Sequence, residues 1–177
     1  MLGPLLLAYM AYIQRDGRVP FRFMERISLT DYVFYGVVTF AAFLAIWRLI
    51  GAFCGEVPTY AWVTHSIYET SAVIAYNFLV AITEESFKVA FTNIVARVWH
   101  VSYHTMRMVV IGFGILGVGL WAYLHVAIGG HSLAYAGIVF VSGLVIFVIV
   151  YHKHNYIPTT VAHGVWNVWV DLLRFLS

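Results

Sequence analysis

The sequence has little charge. Asp, Glu, Lys and Arg make up 10% of its 177 residues, against about 25% in soluble domains. With 62% of the residues hydrophobic, too few ionic groups remain to cover a globular surface. The formal net charge of +2 is too small to suggest a nucleic-acid partner. One cysteine, Cys54, excludes an internal disulfide framework and a cysteine-based zinc site. Proline is rare, and Pro20, Pro58 and Pro158 each stand near a proposed helix start, where a missing N–H does no harm. There is no Gly-x-Ser-x-Gly elbow, no His-Glu-x-x-His and no Gly-x-Gly-Asp, and the only aspartates are Asp16, Asp31 and Asp171. Serine, zincin and aspartyl intramembrane chemistries therefore lack their residues. The ten-residue alternation of an outer-membrane barrel is absent as well.

What the sequence does have is long apolar runs, with a mean hydropathy of +0.85. They predict an all-α, polytopic transmembrane helix bundle forming one domain over residues 1–177. About six membrane segments are expected, at 2–13, 31–54, 59–82, 105–128, 132–151 and 156–176. Residues 83–100 read as an additional amphipathic helix. The start, MLGPLLLAYMAYI, lacks a basic n-region and a cleavage site, so it reads as a first span that stays. Arginine and lysine gather in 14–27, 97–107 and 152–155, whereas 55–58 and 129–131 carry none. An N-terminus outside the cell membrane places all three basic segments in the cytoplasm, as the positive-inside bias requires.

Ionisable groups at membrane depth are costly and face a bundle interior or a wet cavity. Here they are Arg48, His65, Glu69, Glu84, Glu85, Lys88, His125, His163 and Asp171. Asp171 and Arg174, near the chain end, read as interfacial. Three stretches stand above this background. Glu84 and Glu85 are adjacent, with Lys88 four residues after Glu84. Trp121 and His125 lie four apart, as do His163 and Asn167, so each pair shares a helix face. Two carboxylates, two imidazoles and a carboxamide are what water-mediated amide hydrolysis uses. A carboxylate accepts a proton from water, and imidazoles orient the water or donate to the leaving amine. An Asn or His donor stabilises the tetrahedral oxyanion. Counting along the helices places His125 near the outer end of its span and His163 near the inner end of its own. That is a depth difference of about 15 Å at about 1.5 Å per residue.

The order Glu-Glu, aromatic-x-x-x-His, His-x-x-x-Asn resembles the CPBP intramembrane proteases. That family includes CAAX prenyl endopeptidases and bacteriocin-processing or self-immunity proteins. The resemblance covers about 84–168. Trp121 stands where the family has Phe, and Val89 stands at the arginine of Glu-Glu-x-x-x-Arg, with Lys88 one place earlier. The resulting Glu-Glu-x-x-Lys is similar to PrsW-type membrane proteases. The resemblance implies an intramembrane peptidase acting on a membrane-associated peptide or protein, with no cofactor. Glu84 would be the base that activates water and Glu85 would assist. His125 and His163 would position the water and polarise the carbonyl, and Asn167 would stabilise the oxyanion. Lys88 would take the arginine's place and Trp121 would support the site. Other readings stand beside this one. Thr83 could cap a helix beginning at the Glu pair. Glu84, His125 and His163 could form a His-His-Glu metal site. The fold could serve as a non-catalytic immunity or scaffold protein, or as a small transporter or proton relay.

Overall fold

The computed structural model describes residues 25–54, 67–98 and 103–175, together with Leu5 and Tyr12. All regular structure in these residues is helical: α1 Leu29–Cys54, α2 Ile67–Val98, α3 Tyr103–Ala127, α4 Leu133–Lys153 and α5 Ile157–Phe175. The expected span at 2–13 and the start of the one at 59–82 lie outside the described residues. Three helical stretches are long and apolar enough to cross a membrane: Leu29–Ala52, Val110–Ala127 and Leu133–Lys153. The expectation of about six spans is therefore supported for three. α2 and α5 fall outside that group, and they are the helices that carry the Glu pair, Lys88, His163, Asn167 and Asp171.

The separate amphipathic helix at 83–100 does not form, because α2 runs unbroken through it. No glycine or proline occurs between Ile67 and Val98, so nothing interrupts the helical hydrogen bonds. Thr83 is not a cap. Its hydroxyl donates to the Leu79 carbonyl one turn back, at 2.7 Å, and the Glu pair lies in mid-helix. True caps occur elsewhere. Ser28 Oγ accepts the Asp31 N–H at 3.0 Å ahead of α1, and Ser132 Oγ accepts the Tyr135 N–H at 3.0 Å ahead of α4. Asn155 Oδ1 accepts the Ile157 N–H at 2.9 Å ahead of α5. Each satisfies an N–H that the helix start leaves open. His154 ends α4 in the left-handed region, with φ 52°.

Each helix packs mainly on two others, and the five close a ring in the order α1, α5, α2, α3, α4 and back to α1. Inside it Phe43, Val89, Ile146, Tyr156 and Trp166 share one apolar cluster. The polar residues are also inside: Thr39, Asn77, Glu85, Lys88, Asn93, Asn167 and Asp171 are all buried. Large apolar side chains face outward instead, among them Val37 and Leu49 on α1, Leu116 on α3, Val148 on α4 and Val165 on α5. This inversion of the soluble pattern suits a hydrocarbon solvent. Close approach of α5 to α2 depends on Gly164, where an added Cβ would sit 2.6 Å from the Phe78 ring. Small residues at such crossings let helix backbones meet. At one end, α1 is tied to the α4–α5 turn. Asn155 Nδ2 donates to the Glu25 carbonyl at 2.7 Å, and Lys153 reaches Asp31 at 3.4 Å.

Candidate active site

Successive helical residues point about 100° apart, so Glu84 and Glu85 cannot serve the same surroundings. Glu84 lines a cavity at the centre of the ring. Glu85 turns into the packing and is 1% exposed. Its Oε1 accepts a charge-assisted hydrogen bond from Lys88 Nζ at 2.6 Å and shares a hydrogen bond with His163 Nδ1 at 2.8 Å. His163 comes from α5, and its ring is held edge-on by Phe43 of α1, with centroids 5.5 Å apart. Its other nitrogen, Nε2, lies 3.6 Å from Glu84 Oε2. That same Oε2 accepts the Trp121 indole N–H at 3.2 Å. The carbonyl of Trp121 in turn faces His125 Nδ1 at 3.0 Å. Lys88, Glu85 and His163 are thus joined by hydrogen bonds, Glu84 and Trp121 by another, and the two groups meet at the 3.6 Å approach of His163 to Glu84.

A carbonyl can only accept, so His125 carries its proton on Nδ1, and Nε2 of the neutral ring is left as an acceptor. Asn167, one turn beyond His163, lines the cavity and has no hydrogen-bond partner among the described residues. Glu84 Oε1 likewise has none among them, so it is available to water. All five helices contribute to the cavity wall. Glu84, Lys88, His125, His163 and Asn167 form its polar side. Facing them is an aromatic wall in which Trp47 stacks on Trp166 at 6.3 Å and meets the Tyr135 ring at 5.6 Å. The space amounts to about 50 Å³, enough for about four waters at about 10–15 Å³ each. It does not admit a peptide in this state.

The depth difference expected between His125 and His163 is bridged by the cavity itself. It follows α4 from Tyr135 to Ile146, about 16 Å at about 1.5 Å per residue. Glu84, Glu85 and His163 converge directly. His125 joins them through Trp121, and no hydrogen bond runs from it to Glu84 or His163. Trp121 is more than a substitute for Phe, since only its indole N–H can hold Glu84. Among the described residues, no group of three His, Cys, Asp or Glu side chains is placed to hold a metal ion.

Asp171, expected near the membrane interface, is buried within the bundle on α5, where Asn77 Nδ2 of α2 donates to its Oδ2 at 2.6 Å. Its Oδ1 is buried without a partner among the described residues. The signal was present in the spacing: Asp171 follows Asn167 by four and Asn77 precedes Glu84 by seven, so both continue the faces that build the site.

No family model matches the chain, and no curated protein or solved structure matches it. The functional reading therefore rests on the motif resemblance and on the geometry of these side chains.

Proposed function

We propose that the protein is an intramembrane peptidase in which Glu84 activates a water molecule against a peptide bond of a membrane-associated substrate. The observation that carries this reading is the setting of Glu84. One carboxylate oxygen is held by Trp121 and faces His163, the other makes no hydrogen bond among the described residues, and Glu84 lines a cavity of about 50 Å³. In the reaction, Glu84 Oε1 takes a proton from water as its oxygen attacks the carbonyl carbon. His125 Nε2 accepts the second hydrogen of that water and so orients it. The Asn167 carboxamide donates to the tetrahedral oxyanion. Collapse breaks the C–N bond, and the proton held by Glu84 passes to the leaving amine; the second water proton leaves the new carboxyl group for the same amine, giving a carboxylate and an ammonium.

On this reading α2 and α5 also lie within the membrane, their polar faces turned to the cavity. The N-terminus is outside the cell membrane and the basic segments are cytoplasmic. The test is reconstitution with a library of transmembrane peptides, with new termini identified by mass spectrometry. Wild-type protein is expected to cut with or without chelator, and Glu84→Gln to lose about 10²–10⁴-fold. Equal cutting by Glu84→Gln would remove the proposal. A proton relay is the second reading, favoured by the placing of His163 between the two carboxylates, 2.8 Å from Glu85 and 3.6 Å from Glu84. Uptake into liposomes driven by a proton gradient, without cleavage, would select it.

A further inference from the structure

Glu85 is the most deeply buried carboxylate of the site, and among the described residues its only hydrogen-bond partners are Lys88 and His163. Both bind the same oxygen. A carboxylate 1% exposed keeps its charge only when a cation or several donors compensate the lost water. On the α4 side Glu85 meets Ile146, Phe147 and Val150, which offer neither. Glu84, the neighbouring residue, is an acid. Tyr156, at the α4–α5 turn, brings a phenol close enough to feel the charge of Glu85 but adds no positive charge. Among the described residues, the ammonium of Lys88 at 2.6 Å is the one fixed positive charge in contact with Glu85.

The protonation of Glu85 decides that of His163. An ionised Glu85 can only accept, so His163 must carry its proton on Nδ1, and the Nε2 facing Glu84 at 3.6 Å is either bare or shares a proton with Glu84. A neutral Glu85 has an O–H, which can donate to Nδ1 instead and move the imidazole proton to Nε2. We infer that Lys88 is a positioning residue that sets the tautomer of His163 through Glu85, and thereby which way the hydrogen between His163 and Glu84 points. Lys88 touches no reacting atom in this role. It acts two bonds away, from the residue next to the place where the related motif has arginine.

The tautomer itself does not depend on the peptidase reading; only its effect on rate does. The test is ¹⁵N NMR of histidine-labelled full-length protein in lipid nanodiscs, with His163 assigned by loss of its signal in His163→Gln. Wild-type protein at neutral pH is expected to show a protonated Nδ1 on His163. Lys88→Met is expected to shift the proton to Nε2, and Lys88→Arg to restore the wild-type pattern. A wild-type ring protonated only on Nε2 overturns the inference by itself, whether or not Lys88→Met folds. So does a Lys88→Met protein that folds and keeps the wild-type tautomer. In the cleavage assay, Lys88→Met should fall about 10²–10⁴-fold while Lys88→Arg stays near wild type, as when a partner that fixes a working imidazole is removed. The expected tautomers with no cleavage by any variant would leave Lys88 in this role and remove the peptidase.

Discussion

At the scale of residues, the site separates two neighbouring glutamates by environment. Glu84 is presented to the cavity and steadied by one indole N–H at 3.2 Å. Glu85 is sealed against Lys88 and His163. Trp121→Phe tests the first half of that division, because it keeps an aromatic ring beside Phe87 and His125 while removing the N–H donor, and a parallel melting curve separates the loss of the donor from the loss of ring volume. A hydrogen bond to a charged group contributes about 1.5–3 kcal/mol, so cleavage should drop about ten- to a hundredfold. Thermal melting should fall modestly, as for any trimmed ring, and the loss of rate should exceed what that fall explains. An unchanged rate would mean that the indole N–H does not hold Glu84 in the reacting geometry. That Glu84 with Lys88, Trp121 with His125 and His163 with Asn167 share helix faces was legible from the sequence, because i, i+4 spacing survives any error in helix boundaries. Their division of labour was not. Adjacent residues on a helix diverge by about 100°, and the sequence does not say which of the two directions is the cavity.

At the scale of elements, α2 and α5 are brought together by a glycine and by a buried polar pair. Gly164 precedes Val165 on α5 and lies against Phe78 of α2, while Asn77 and Asp171 join the same two helices. Gly164→Leu should force the helices apart, at about 1–3 kcal/mol for an overpacked contact, and carry His163 away from Glu85. The expected result is a lower melting temperature in detergent together with lost cleavage. Full retention of both would show that the α2–α5 crossing does not set the site. The change in hydrophobic pattern after Ile82 does not end α2, because patterning shows which face is apolar, and Ile67–Val98 contains no glycine or proline to interrupt it. The Asn77–Asp171 pair was not legible from the place of Asp171 near the chain end, because that nearness says nothing of which helix face a residue shares.

At the scale of the whole molecule, a closed ring of helices holds a cavity of about 50 Å³, and a peptide must widen it to reach Glu84. The helix with the least buried apolar window is α1, yet it supplies Phe43 and Trp47 to the cavity wall. Its start is tied down by Asn155 and Lys153. Tethering α1 to α5 should therefore block substrate without disturbing the chemistry. The Phe40 and Trp169 rings are 6.5 Å apart, so Phe40→Cys with Trp169→Cys, joined by a short disulfide-containing crosslinker, should abolish cleavage until a reductant is added. Cleavage that continues while crosslinked would place the entrance elsewhere in the ring. The helical, membrane-suited character of the chain was plain from composition. The ring order was not, because apolar outward faces look alike along every helix and only the buried polar groups distinguish one neighbour from another. The central claim is that Glu84 delivers a proton-stripped water to the peptide carbonyl. Single-turnover cleavage in H₂¹⁸O tests it most directly, comparing wild-type protein with Glu84→Gln. One ¹⁸O in the new carboxylate on the first turnover, with no product from Glu84→Gln, is the predicted result. A first-turnover product lacking ¹⁸O, or undiminished cleavage by Glu84→Gln, would contradict it.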